Sequence, residues 1–252
     1  MNTTVPVGRP AVPASSAPSE ITLRARARRA GLLYASGGVT APFALLYVPA
    51  ALFVSGDTKA TAERIAASAG LVRMAIAGEL LHCTLSVVAV LALYRLFREV
   101  SRPLATLMAA LFLAAVPIEL ASVGNYEAAL MLTTKGSWLG AFTKEQLDAL
   151  TYMFFRLHAS GLQVSQVFWG AWLFPYGLVA MRSGFIPRWV GAALLFAGVG
   201  FVVASATALF FPAYVATVRP VAGLLMAGEL PMLVWLIGWG AREPKAAARV
   251  AA

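Results

Sequence analysis

The chain has 252 residues, of which 60% are hydrophobic and 12% charged, and its net charge is +9. With a mean hydropathy of +0.77, this composition excludes an ordinary soluble domain and predicts an all-α integral membrane bundle. The basic residues cluster in short segments between apolar runs, without interleaved aromatics, which excludes nucleic acid as a partner and reads the charge as a topology signal.

In chain order, residues 1–23 are rich in Pro, Ala, Ser and Thr and poor in bulky apolar side chains. They are expected to form a disordered cytoplasmic tail. Arg24, Arg26, Arg28 and Arg29 follow, and then 23 uncharged residues from Gly31 to Phe53. That run is longer than a signal-peptide core and no small-x-small cleavage site follows it, so it reads as a retained first span. Five further spans are expected near Leu71–Tyr94, Leu104–Leu130, Tyr152–Met181, Trp189–Phe211 and Val221–Gly240. The expectation is six transmembrane helices in a domain of residues 24–241, followed by a second cytoplasmic tail over 242–252. The fifth span carries no charge, whereas the second holds Arg73, Glu79 and His82.

The connecting segments carry their own signals. Thr143 and Gln146 have capping-box spacing, which predicts a helix start in the stretch TKEQLDALTYMFFRLH. Residues from Asp57 to Ala69 predict a short outer helix. With the N-terminus inside, the cytoplasmic segments hold thirteen Lys and Arg and the outer ones seven, which predicts that both termini are cytoplasmic. Tyr94, Tyr152, Trp189 and Trp239 lie near span ends and read as interfacial anchors. Cys83 is the only cysteine, which excludes an intrachain disulfide and a cysteine zinc site.

Four ionisable residues, Glu79, Glu119, His158 and Glu229, sit inside these apolar spans. Counted from the expected outer ends, they lie eight, seven, six and eight residues deep, or roughly 10 Å at ~1.5 Å per residue. Charge at that depth is costly, so such groups face a bundle interior, a partner or water. Glu79, His82, Cys83 and Ser86 follow i, i+3, i+4, i+7 spacing and form one stripe. Pro117 and Pro231 each lie two residues from an acid, at positions where a helix must leave a carbonyl free.

These residues leave more than one function class open. In the first, Glu79, His82, Glu119, His158 and Glu229 line an outward-facing polar cavity that binds or transports a proton, an ion or a small solute. In the second, the protein is a structural or interaction membrane protein whose acids are interhelical hydrogen bonds. A metal- or haem-dependent membrane enzyme is the third class. Glu79-x-x-His82 has the spacing used in di-metal bundles, with His158 as a further candidate ligand, and His82 and His158 could bracket a haem. No catalytic residue and no cofactor is assigned, because a second Glu-x-x-His is missing, as are the lipase, zinc-protease and P-loop motifs. The expected partners are the lipid bilayer and a small solute or ion.

Several stretches resemble a known family. They are AGLLY at 30–34, LALYRLF at 91–97, LHASGL at 157–162 and FWGAWLFPYGLVAMRSGFIPRWVGAAL at 168–194. The chain from about Arg24 to Trp239 is similar to an uncharacterised bacterial multi-pass membrane family, domain of unknown function 4386. The resemblance implies a compact bundle in a bacterial inner membrane and carries no reaction or substrate.

Overall fold

A computed structural model describes residues 23–134 and 136–241. The expected tails, residues 1–22 and 242–252, lie outside the described residues, while Leu23 opens the first helix. The described chain is helical throughout, with no strand. Five stretches are long and apolar enough to cross a membrane: Leu23–Leu52, Ala69–Phe97, Arg102–Thr133, Arg188–Phe210 and Pro212–Gly238. Their outward residues are apolar, as Leu224 (77% exposed) and Phe210 (72%) illustrate, which suits contact with lipid chains.

The first stretch starts as α1 (Leu23–Ala41), so the arginine cluster forms its opening turns rather than a flanking loop. Pro42 has no N–H to donate to the preceding turn, and the chain widens there into a π-helical segment, Pro42–Tyr47. It recovers as α2 (Val48–Leu52). The short helix expected after Asp57 is α3 (Thr58–Ala67), with Asp57 Oδ1 accepting from Ala60 N at 2.8 Å. Two long helices follow, α4 (Ala69–Phe97) and α5 (Arg102–Thr133).

The capping box at Thr143 is present in both directions and opens α6 (Lys144–Ala171). This helix runs straight into the expected fourth span. Pro175 cannot donate to Ala171 O, and the helix breaks at Trp172 before α7 (Leu173–Arg182). Neither piece qualifies as an apolar crossing by length and composition, so five of the six expected crossings do. The physical reason is dilution of hydropathy by Arg156, His158, Gln163 and Gln166. The chain then forms α8 (Arg188–Phe210), α9 (Val215–Met226) and α10 (Leu230–Gly238). The last two are joined by a 3-10 turn, Ala227–Glu229, where Pro231 withholds its donor.

The helices close into a ring in chain order, α1, α4, α5, α6 with α7, α8, and α9 with α10 back against α1. One end carries nine of the thirteen described arginines: there Arg28 Nη2 donates to Gly238 O at 2.9 Å, and Phe97 stacks on Phe185. The half of the bundle nearest them is filled by Tyr34, Phe97, Phe112, Trp172, Tyr176 and Met232. At the opposite end, α3 covers the mouths of α4, α5 and α6, and Phe53 packs on Phe155 and Tyr152.

Candidate functional site

The acids of α4 and α5 are drawn together because three helices turn their small and polar residues toward one another. Gly161 of α6 lies so close to Ser122 of α5 that any side chain there would overlap the serine hydroxyl. This close approach brings His158, one turn away, against α4 and α5. His158 Nε2 and Glu79 Oε2 are 2.9 Å apart, with both residues buried, at 1% and 3% exposure. The Tyr126 ring lies flat on the imidazole, centroids 3.6 Å apart and planes at 13°. Phe155 then packs on Tyr126 and Phe53 on Phe155, which shuts the pair off from the α3 end.

Glu119 lies deeper in the same seam. Trp169 Nε1 donates to its Oε1 at 2.6 Å, and the Cys83 thiol donates to its Oε2 at 3.3 Å. Among the described residues no Arg or Lys forms an ion pair with either acid. Glu79 Oε1, Tyr126 Oη and Ser165 Oγ are buried without a hydrogen-bond partner. A buried polar atom left without a partner carries a desolvation cost of about 1–3 kcal/mol, so these three atoms mark where the seam is least satisfied.

The structure therefore brings Glu79, Glu119 and His158 together and separates the other two residues of the expected site. His82 turns the other way, with Nδ1 2.8 Å from Gly37 O of α1, where Ser86 also packs. Glu229 sits on the 3-10 turn beside Gly228, which abuts the Ala193 backbone of α8. The helical run begins at Pro212, well before Val221, so Glu229 is nine residues from the Gly238 end and not at the depth of Glu79. Glu79, Glu119 and His158 are buried, and the rings of Tyr126 and Phe155 pack on the α3 side of the pair. Glu79 and His82 address different neighbours, His158 of α6 and Gly37 of α1. No group of three His, Cys, Asp or Glu fit to hold a metal is found among the described residues.

Two participants, Tyr126 and Trp169, are not among the five residues of the expected site, although Trp169 shares a helical face with His158. Tyr126 is seven positions after Glu119 and Trp169 eleven after His158, both on the inward face of their helices. Helical spacing from the acids would have pointed to each of them. Comparison with curated proteins and with solved structures finds no match. Residues 29–240 match the family described as Domain of unknown function (DUF4386), and the chain belongs to that family.

Proposed function

We propose that this is a membrane protein whose buried Glu79–His158 pair, with Glu119 behind it, binds and releases a proton, and that the bundle changes conformation or moves a solute in response. The observation that carries the reading is the 2.9 Å contact between a carboxylate and an imidazole that are almost wholly buried. Ionisable groups held within a membrane bundle commonly form proton relays. The site is packed by Tyr126 and Phe155, which favours a proton over a larger ion, since a proton needs no cavity. A second reading, in which the acids only tie helices together, has its own support. Glu79 joins α4 to α6, and Glu119 joins α5 to both.

Infrared difference spectra of the purified protein, taken between mildly acidic and mildly alkaline buffer, separate the two. The expected result is a carboxylic C=O band, shifted in deuterated buffer, that disappears in Glu79→Gln while the variant stays folded. An amide keeps a hydrogen-bond acceptor of similar shape but cannot titrate. A band that survives in both Glu79→Gln and Glu119→Gln would leave the structural reading.

The proposed topology has six crossings, with α6 and α7 together as the fourth and both termini in the cytoplasm of a bacterial inner membrane. Support comes from the contacts that α6 makes inside the bundle: His158 meets Glu79 of α4, and Ser205 Oγ of α8 donates to the backbone O of Gln163 at 2.5 Å. The arginine-rich end is then the cytoplasmic end. A reporter active only in the cytoplasm should be active after Trp239 and silent within residues 137–143. The reverse pattern overturns the orientation, and activity at only one of the two ends of α6–α7 tests the sixth crossing.

A further inference from the structure

At the end opposite the arginines, α3, the last turn of α5 and the start of α6 enclose a cavity of about 690 Å³. That volume is ample for a small organic molecule. Lys144 and Asp148 line it and also line a smaller neighbour of about 180 Å³, so their ion pair is common to both. Lys144 Nζ reaches both Asp148 oxygens, at 3.1 and 2.8 Å. The two partners differ in one respect: the Asp148 side chain is 13% exposed, whereas the Lys144 side chain is 62% exposed. The carboxylate is fixed in the wall, and the ammonium comes in from solvent on a flexible four-carbon stem.

Thr151 lies on the same face of α6, nearly one turn further on. It is 1% exposed, lines the larger cavity, and its Oγ1 has no hydrogen-bond partner. A helical threonine hydroxyl can bond back to the carbonyl of the preceding turn, and this one does not. Glu63 adds a second carboxylate at the rim, and Leu132 and Leu139 supply apolar wall. Among the described residues that line it, the carboxylates of Glu63 and Asp148 stand against the single ammonium of Lys144, a balance that disfavours an anion. Only two carboxylates line it, and no group of three His, Cys, Asp or Glu fit to hold a metal is found among the described residues.

We propose that this cavity binds a small amphiphilic organic cation, an alkyl- or aryl-ammonium whose head takes the place of Lys144 on Asp148 and whose body lies along Leu132 and Leu139. Thr151 Oγ1 accepts a hydrogen bond from the ammonium head. Lys144 then acts as a tethered competitor that occupies the carboxylate when the cavity is empty. Consistent with this, the hydrogen bonds and charge of Asp148 hold the Lys144 ammonium above its usual pKa range. The site does not depend on the Glu79–His158 pair.

Calorimetric titration of the full chain in a maltoside detergent with benzylammonium tests this, with benzoate and calcium as controls. Benzylammonium is expected to bind saturably and the controls not. Asp148→Asn should weaken binding about tenfold or more, because a charge-assisted hydrogen bond is lost, and the isosteric Thr151→Val should weaken it severalfold. Lys144→Met should tighten binding, because the competitor is gone, and Glu79→Gln should leave it unchanged. Loss of binding in Lys144→Met, equal binding of benzoate, or no saturable binding by a folded wild type each overturns the proposal. Repeating the titration with phosphatidylethanolamine in the micelles assigns the source of the ammonium. Competition points to a lipid headgroup, and no competition points to a free amine.

Discussion

Replacing Glu79 with alanine is expected to lower the unfolding free energy by about 3 kcal/mol or more, the range seen when one partner of a buried charged pair is removed. His158 is 1% exposed and cannot recover the lost acceptor from water, because Tyr126 covers one face of the imidazole and Phe155 closes the approach. Glu79→Gln should cost much less, since the amide oxygen still accepts from the ring N–H. His158→Ala should be costly in its own right, as it leaves the Glu79 carboxylate buried and removes the ring against which Tyr126 stacks. The double variant is the informative one. If the two residues are held for each other, Glu79→Ala with His158→Ala should cost clearly less than the two single changes added together, because the second change removes the group that the first orphaned. Reversible unfolding in mixed micelles measures all four corners of that cycle. Additivity to within about 0.5 kcal/mol, as for independent sites, would mean that the 2.9 Å contact contributes no coupling. The pair would then be a poor candidate for either a proton site or a helix tie.

Much of the scaffold is legible from residue pattern alone. Apolar runs of the right length mark five stretches fit to cross a membrane. Asp57 marks the start of α3, and Thr143 with Gln146 marks the start of α6, because each satisfies backbone donors that a helix must leave open. Nine of the thirteen described arginines collect at one end, while Arg64, Arg73, Arg156 and Arg219 lie away from it. What pattern does not carry is which neighbour each part of a polar stripe addresses. At about 100° per residue, Glu79, His82, Cys83 and Ser86 fall within roughly one 100° sector of α4, and a sector that wide meets two helices. Glu79 and Cys83 face α5 and α6, while His82 and Ser86 face α1. Depth fails for a related reason. The sixth span is expected from Val221, but the helical run starts at Pro212 and Pro220 is accommodated inside α9, so the count to Glu229 begins nine residues too late. The hydropathy of the α6 segment misleads in the opposite sense. Its polar residues lower the average, and His158 among them is spent on a helix–helix contact inside the bundle, where no lipid has to solvate it.

Gly177→Leu is expected to separate α7 from α8 and to lower the melting temperature more than any exposed substitution. The two helices meet backbone to backbone. A Cβ on Gly177 would lie 2.6 Å from Gly191 O, and one on Gly191 would lie 2.7 Å from Gly177 O. The same seam continues at Gly170, whose Cβ would meet Gly198 O at 2.8 Å, and across the other side of α8 at Gly200, against Ala222 O. Obstruction by a carbonyl oxygen differs from obstruction by a flexible side chain, because it can be relieved only by moving a whole helix. Even Ala at Gly177 should therefore cost about 1–3 kcal/mol, the usual penalty for overpacking, and Leu more. The contrast lies in the same chain. Gly124 and Gly223 are helical glycines with nothing within 4 Å of an added Cβ, so Ala there should be neutral or stabilising by up to about 1 kcal/mol through loss of backbone freedom in the unfolded chain. Thermal melts of the four single variants in one detergent decide the matter. Equal shifts at Gly177 and Gly223 would mean that small residues along α8 reflect composition rather than close packing, and the ring would need another explanation for its closure between α7 and α8.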